Sequence, residues 1–329
     1  MTLSAVPRYA MRRKHKSTCS GLLLPLLLGP AAAACAVLAV CAGSNTAMKI
    51  QIDHVTLCGS NLEKMQQALS EAGLTTAYGG PHANGATHMA LVGFDDGSYL
   101  ELIAPMHREA GTSGMTSGWM KLMLADAGAC AWAVHTSSIQ QEVERLRAAG
   151  VAVTRPEPGG RKKIDGTNLR WQTASVGPGV AGALLPFMIQ DETPRELRVQ
   201  PSPKIRETGL TGIAIVVLGV RNFGGAIDSF RKAYGLDKPQ MEEQKQFGAK
   251  LAYFAAAPVI LATPSGEGSW LSERLDRLGD SPVAFLLGTS NINRASQHFN
   301  LVRADTWFGR KMAWIDESKL RGARVGVIE

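Results

Sequence analysis

The sequence predicts an α+β fold made of tandem βαβββ units, arranged as two similar halves. Three observations carry this. A strand-like apolar run followed by an amphipathic helical pattern occurs four times. Each helical pattern stops at a residue that tolerates the left-handed conformation, Gly73, Gly150, Gly235 or Asn300, at intervals of 77, 85 and 65 residues. Shorter strand-like runs follow every helix, in the first unit around Asp95-Asp96-Gly97, a strong hairpin signal.

Taken in order, residues 50–58 read as a strand, and Asn61 opens a helix with Leu62, Met65 and Leu69 on one face. Residues 129–136 begin the second unit, whose helix starts at Ser138 and carries Ile139, Val143 and Leu146. The third unit has a strand over 210–219 and a helix with Phe223, Ile227 and Phe230. The fourth has a strand over 282–289 and a helix with Ile292, Ala295 and Phe299, running to Asn300. The following strands are expected over 87–94 and 98–104, 169–176 and 184–190, 249–256 and 259–263, and 311–315 and 323–328. The polar, Pro-bearing stretch 191–208 separates the unit pairs, giving domains over 48–190 and 209–329 with a linker between them.

Charge is unevenly distributed. The chain carries a net +7, but residues 1–47 hold five basic residues and no acid, leaving the body with 30 basic against 28 acidic residues. A near-neutral body without a basic block excludes a nucleic-acid footprint. The leader has a basic cluster, Arg12 to Lys16, then an uncharged run from Gly21 to Ala42, the layout of an export signal. The run also reaches the roughly 20 residues that span a bilayer. Met48 directly precedes the first strand and would be a natural start. The two starts give different locations: cytoplasmic from Met48, exported or membrane-anchored with the leader, which is then the one membrane contact. Cys58 and Cys130 are the body's two cysteines. They sit in apolar runs and read as core residues, with no CxxC pair to suggest a zinc site or disulfide framework.

The first half resembles the glyoxalase-like branch of the vicinal oxygen chelate superfamily. The residues carrying the resemblance are Ile52-Asp53-His54-Val55, Gly85-Ala86-Thr87-His88 and Tyr99-Leu100-Glu101-Leu102-Ile103. Further on come Arg161, Asp165-Gly166, Leu169-Arg170-Trp171 and Leu185-Pro186-Phe187. The second half resembles the same fold through its pattern only. The resemblance implies paired curved mixed sheets, as in glyoxalases and extradiol dioxygenases, with a small-molecule cleft. It also implies one divalent metal (Mn, Fe, Ni or Zn) held by first-strand and last-strand residues, here His54 and Glu101. The matching second-unit positions are Ala131 and Phe187, which cannot ligate. His135 lies four residues from Ala131, a displacement of roughly 13 Å along a strand. In the second half the counterparts of His54 and Glu101 are read as Gly212 and Ile260.

Two functions follow. One is a metal-assisted lyase, isomerase or dioxygenase-type enzyme, with His54 and Glu101 as catalytic and metal residues. The other is a metal-free protein that binds or sequesters a small molecule. In either case His88, Arg161, Arg170, Trp171 and Phe187 are the expected ligand contacts. Arg161 or Arg170 suits a carboxylate, and Trp171 and Phe187 suit apolar walls. His82 is a further candidate beside its Gly-containing loop. No P-loop, HExxH or GxSxG occurs. Because ionisable residues punctuate only the first half's strands, the pocket is expected there, with the second half serving fold and stability. Oligomeric state is left open.

Overall fold

The computed structural model describes residues 50–107 and 118–329. The leader and the Met48 start lie outside the described residues. Among the described residues no helix is long and apolar enough to cross a membrane.

The first half forms an eight-stranded mixed sheet from β1 (Ile52–Cys58), β2 (Ala77–Pro81), β3 (Thr87–Gly93), β4 (Tyr99–Pro105), β5 (Gly128–His135), β6 (Glu157–Lys162), β7 (Asn168–Ala174) and β8 (Phe187–Asp191). Its order is β2-β3-β4-β1-β5-β8-β7-β6. The second half repeats the arrangement with β9 (Leu210–Gly219), β10 (Gln240–Gln244), β11 (Ala249–Tyr253), β12 (Val259–Pro264), β13 (Ser281–Thr289), β14 (Leu301–Trp307), β15 (Arg310–Ile315) and β16 (Val325–Ile328), ordered β10-β11-β12-β9-β13-β16-β15-β14. The helices are α1 (Leu62–Glu71), α2 (Met120–Leu124), α3 (Ile139–Ala148), α4 (Arg195–Arg198), α5 (Pro203–Thr208), α6 (Phe223–Tyr234), α7 (Trp270–Leu278) and α8 (Ile292–Ala295). In each unit the first strand pairs with the last in parallel across its own helix, and the two first strands meet antiparallel at the sheet centre.

Local chemistry accounts for the helices. The Asn61 side chain accepts from the Lys64 amide at the start of α1, and Asn222 accepts from Gly225 at the start of α6. Gly73, Gly150 and Gly235 adopt positive φ at the three long stops, where a β-carbon would be strained. The fourth stop differs from expectation: α8 ends at Ala295, and Asn300 is not left-handed. The apolar stripes of α1, α3 and α6 join the helix-facing residues of both sheets in one core, including Leu57, Leu146, Trp132 and Phe230. Trp132 of β5 stacks on Phe230 of α6 at 6.3 Å, tying the halves together.

The named strands all form, but β2, β6, β10 and β14 were not singled out. All four are sheet edges. Their sequences, such as AYGGP and EPGGRK, are short, polar or broken by Gly and Pro, as edge strands are when they resist pairing with other chains. The stretch 191–208 does more than link the halves, since it folds into α4 and α5.

Two irregularities shape the centre of the first sheet. Ile52 pairs with Val134 and His54 with Ala133, so Asp53 is an extra residue in β1. Thr56 pairs with Ala131 and Leu57 with Ala129, so Cys130 is an extra residue in β5. The second sheet has both bulges at the same places, with Ala214 and Val283 as the extra residues. This register corrects one sequence assignment: the counterpart of His54 is Ile215, not Gly212. Ile260 stands, because Val217 pairs with Ile260 as Thr56 pairs with Glu101.

The second bulge turns Cys130 towards Cys58. The two form a disulfide with Cα atoms 5.9 Å apart, overturning the reading of both as plain core thiols. Their spacing of 72 residues hid the pair. Only the antiparallel pairing of two distant strands brings them together.

Candidate functional site

A cavity of about 320 Å³ opens on the face of the first sheet opposite α1 and α3, with Trp119 beside α2 and Arg198 of α4 in its lining. Side chains alternate along a strand, so His54 and Thr56 of β1 and Tyr99 and Glu101 of β4 share that face. Met89, Phe187, Ile189, Trp171 and Arg161 contribute from the strands on either side.

Glu101 lies at its base and is 4 % exposed. Its Oε2 accepts from Thr56 Oγ1 at 3.0 Å and lies 3.7 Å from His54 Nε2. Its Oε1 lies 3.7 Å from His82 Nε2. The Thr87 hydroxyl, 2.8 Å from His82 Nδ1, orients the second imidazole. Burial pulls the His82 pKa below its usual range; Glu101 opposes this and Arg161 adds to it.

Asp53 and His54 are adjacent in β1, and regular alternation would send them to opposite faces. The bulge brings them together, and Asp53 Oδ1 accepts from His54 Nδ1 at 2.6 Å. This contact fixes the ring and turns Nε2 towards Glu101. The ring stacks on Tyr99 at 4.7 Å and meets Phe187 edge-on at 5.4 Å. Asp53 is wholly buried and held by Arg198, whose Nη1 and Nη2 donate to Oδ1 and Oδ2 at 2.9 and 2.8 Å. Arg195 of α4 also donates to Asp53. Burial pushes the Asp53 pKa up, but Arg198 and then His54 hold it well below the carboxylate range. Arg198 continues to Asp191 at 2.5 Å and to the Tyr99 hydroxyl at 2.9 Å.

The expected ligand contacts divide. Arg161, Trp171 and Phe187 line the cavity. Arg170 does not: strand alternation places Trp171 inwards and Arg170 outwards, 72 % exposed and 3.8 Å from Glu192. His88 is also excluded, because its neighbour Met89 points inwards while the His88 ring meets Tyr78. His135 lies outside the lining as well, 3.9 Å from Asp191. Sequence reading missed Asp53, Thr56, Tyr99, Trp119, Arg195 and Arg198 as site residues. Arg195 and Arg198 sit in the stretch taken as a linker, and no local pattern ties them to β1.

The donor set does not fit a metal centre. Among the described residues no group of three or more His, Cys, Asp or Glu side chains is disposed to hold an ion. The second unit supplies one carboxylate to the lining, the exposed Glu157 of β6, and its central strands β5 and β8 offer Ala131, Ala133 and Phe187.

Comparison with known proteins places this geometry. A family model described as the glyoxalase-like domain matches residues 52–229. Among solved structures, a hypothetical protein from Staphylococcus aureus aligns with TM-score 0.57 and 14 % identity, over 84 % of this chain and 98 % of that one. A mutant of 4-hydroxymandelate synthase from Streptomyces coelicolor aligns with TM-score 0.57 and 12 % identity, over 85 % and 92 %. Methylmalonyl-CoA epimerase from Mycobacterium tuberculosis aligns with TM-score 0.34 and 22 % identity, over 37 % and 89 %. No curated protein sequence matches. At these identities the two likenesses with TM-score 0.57 show the fold alone, two similar halves of curled mixed sheets. The family match covers more than half of the sequence, and by it this chain belongs to the glyoxalase-like domain family.

Proposed function

We propose that the first-half cleft takes a small carboxylate bearing a neighbouring carbonyl group and moves a proton on it, with Glu101 and His54 as the exchanging groups. The observation that carries this reading is Glu101 itself. A carboxylate this buried ordinarily pairs with a cation. Glu101 has one hydroxyl donor and two imidazoles at 3.7 Å, and no Lys or Arg within 4.0 Å among the described residues. Such a group is costly for folding and suited to accepting a proton from a bound ligand.

Arg161 supplies the second half of the argument. Its guanidinium is buried and donates to the carbonyl oxygens of Gly79 and Arg198. It has no carboxylate within 4.0 Å among the described residues, so a ligand carboxylate would complete its charge pairing. Trp119, Trp171, Tyr99 and Phe187 wall the remaining space with aromatic surface. In this reading the proton leaves the carbon beside the carbonyl for Glu101. The electron pair moves into the carbonyl oxygen, and return of the proton from His54 or Glu101 restores the carbonyl.

The test is solvent exchange in D2O, followed by NMR, over a panel of small 2-oxo and 3-oxo acids. Native protein should exchange at least one member. Glu101→Gln should slow that exchange by about 100-fold or more while keeping the native circular dichroism. If no member exchanges and none raises the melting temperature, the reading fails. The apolar residues at Ala131, Ala133 and Phe187 favour one alternative, a metal-free binding protein. Its signature is a chelator-insensitive stabilisation, equal in native and Glu101→Gln protein, without exchange.

A further inference from the structure

A second cavity, of about 350 Å³, lies where α7 of the second half meets the start of β5 in the first. It shares no lining residue with the cleft. Three arginines surround it: Arg274, Arg277 and Arg324.

Arg274 reaches across the joint. Its Nη1 donates to Ala127 O at 2.7 Å, and its Nη2 donates to Ala129 O at 2.5 Å and Pro282 O at 2.9 Å. Its Nε is buried with no hydrogen-bond partner. The cation thus meets carbonyl dipoles but no carboxylate. Burial, followed by the like charges of Arg277 and Arg324, brings its pKa down to about 10. Arg324 lies over the Trp270 ring at 3.9 Å and pairs with Glu317 at 3.1 Å, a carboxylate it shares with Arg303 at 3.0 Å. Arg277 is exposed and forms no ion pair among the described residues. Glu273 is the one carboxylate in the lining, and it lies within 4.0 Å of none of the three.

Like charges gathered around a partly enclosed space repel one another and focus a positive field into it. Arg324 is held in place by Trp270 and Glu317, and the carbonyls at the joint are served by Arg274, so Arg277 is the arginine here with no structural partner among the described ion pairs. We propose that this cavity is a binding site for a phosphate-type oxyanion, free or carried by a small metabolite. Several guanidinium forks match the several oxygens of such a group. The occupant would neutralise the arginines and pin the two halves at α7 and β5. The second half would then carry a ligand site of its own.

Thermal shift and titration calorimetry at fixed ionic strength test this on the full chain, with inorganic phosphate and glycerol phosphate against sodium chloride. Either phosphate should raise the melting temperature of native and Glu101→Gln protein equally. Arg277→Gln should bind about tenfold more weakly or worse, the loss of one charge-assisted hydrogen bond, and Arg324→Gln gives a second measure. Tighter binding of glycerol phosphate than of phosphate would identify a phosphorylated metabolite; equal binding would identify the free anion. The site is overturned if phosphate does no more than chloride, or if both arginine variants respond as the native protein does.

Discussion

Ile52–Cys58 and Ile213–Gly219 hold the same place in the two sheets and bulge at the same point, yet their side chains do different work. In the first half the cavity side carries His54 and Thr56, with Glu101 beside them. In the second the same positions are Ile215, Val217 and Ile260, all buried in a separate apolar cluster. Phe247 stacks on Trp314 at 5.5 Å and meets Trp307 edge-on at 5.0 Å, filling the space that is open in the first half. The disulfide has a counterpart too. Cys58 and Cys130 correspond to Gly219 and Val283, where a β-carbon on Gly219 would come within 2.6 Å of Val283 Cγ1. One pair is joined by a covalent bond and the other by close packing. A shared backbone therefore tolerates either a polar cleft or a filled core on the same face.

The largest expected effect is at Arg198. Replacing it by Ala leaves Asp53 buried without its main counter-charge and should cost about 3–5 kcal/mol, read from urea unfolding. A loss below about 1 kcal/mol would mean that Arg195 alone can hold Asp53 and that the charged centre is less tightly built than the contacts imply. The same pair gives a pH signature. The folded Asp53 pKa is depressed, so its stabilisation is present above the ordinary value near 3.8 and is lost as pH falls through the folded value. The stability gap between native and Asp53→Asn protein should be full at pH 7 and should shrink as the pH drops below 4.

Next in size is the disulfide. Under denaturing, non-reducing conditions, alkylation and peptide mapping should leave Cys58 and Cys130 unlabelled. Their replacement by Ser should cost about 2–5 kcal/mol. Labelling of both as free thiols would remove this difference between the halves.

The smallest effect should come from Ile260→Val, the counterpart of the Glu101 position. It should cost about 1 kcal/mol and leave exchange of the cleft ligand unchanged. Loss of that exchange in Ile260→Val but not in Glu101→Gln would transfer the cleft function to the wrong half.

The fold was readable because its signals are local. Apolar periodicity and glycine stops recur within windows of ten to twenty residues, and the central strands are apolar throughout, as in Ile52–Cys58. The edge strands escaped because Gly, Pro and charge disguise them. Within the site, His54 and Glu101 were visible as polar interruptions of apolar strands, Arg161 and Trp171 as members of a basic and aromatic segment around a turn, and Phe187 through the family resemblance. Asp53 was not, because alternation placed it on the far face and a bulge leaves no mark in the sequence. Arg198 was invisible for a different reason: it meets Asp53 across 145 residues. Arg170 and Trp171 lie on opposite faces of one strand and the sequence does not say which points inwards, while His88 reads only as a residue flanking a Gly-containing loop.

The bulge at Asp53 also bears on how such a site is gained or lost. It is the length of one codon. Removing that codon would bring Ile52 and His54 into regular pairing opposite Val134 and Ala133. The imidazole would lose its carboxylate, while Arg195 and Arg198 would lose their shared anchor. The second half keeps the extra residue as Ala214, so there the inserted codon persists without its chemistry. The extra residue thus sets which side chains meet at the centre of each sheet, and the residue types on either side of it decide whether that meeting is a charged cluster or part of a filled core.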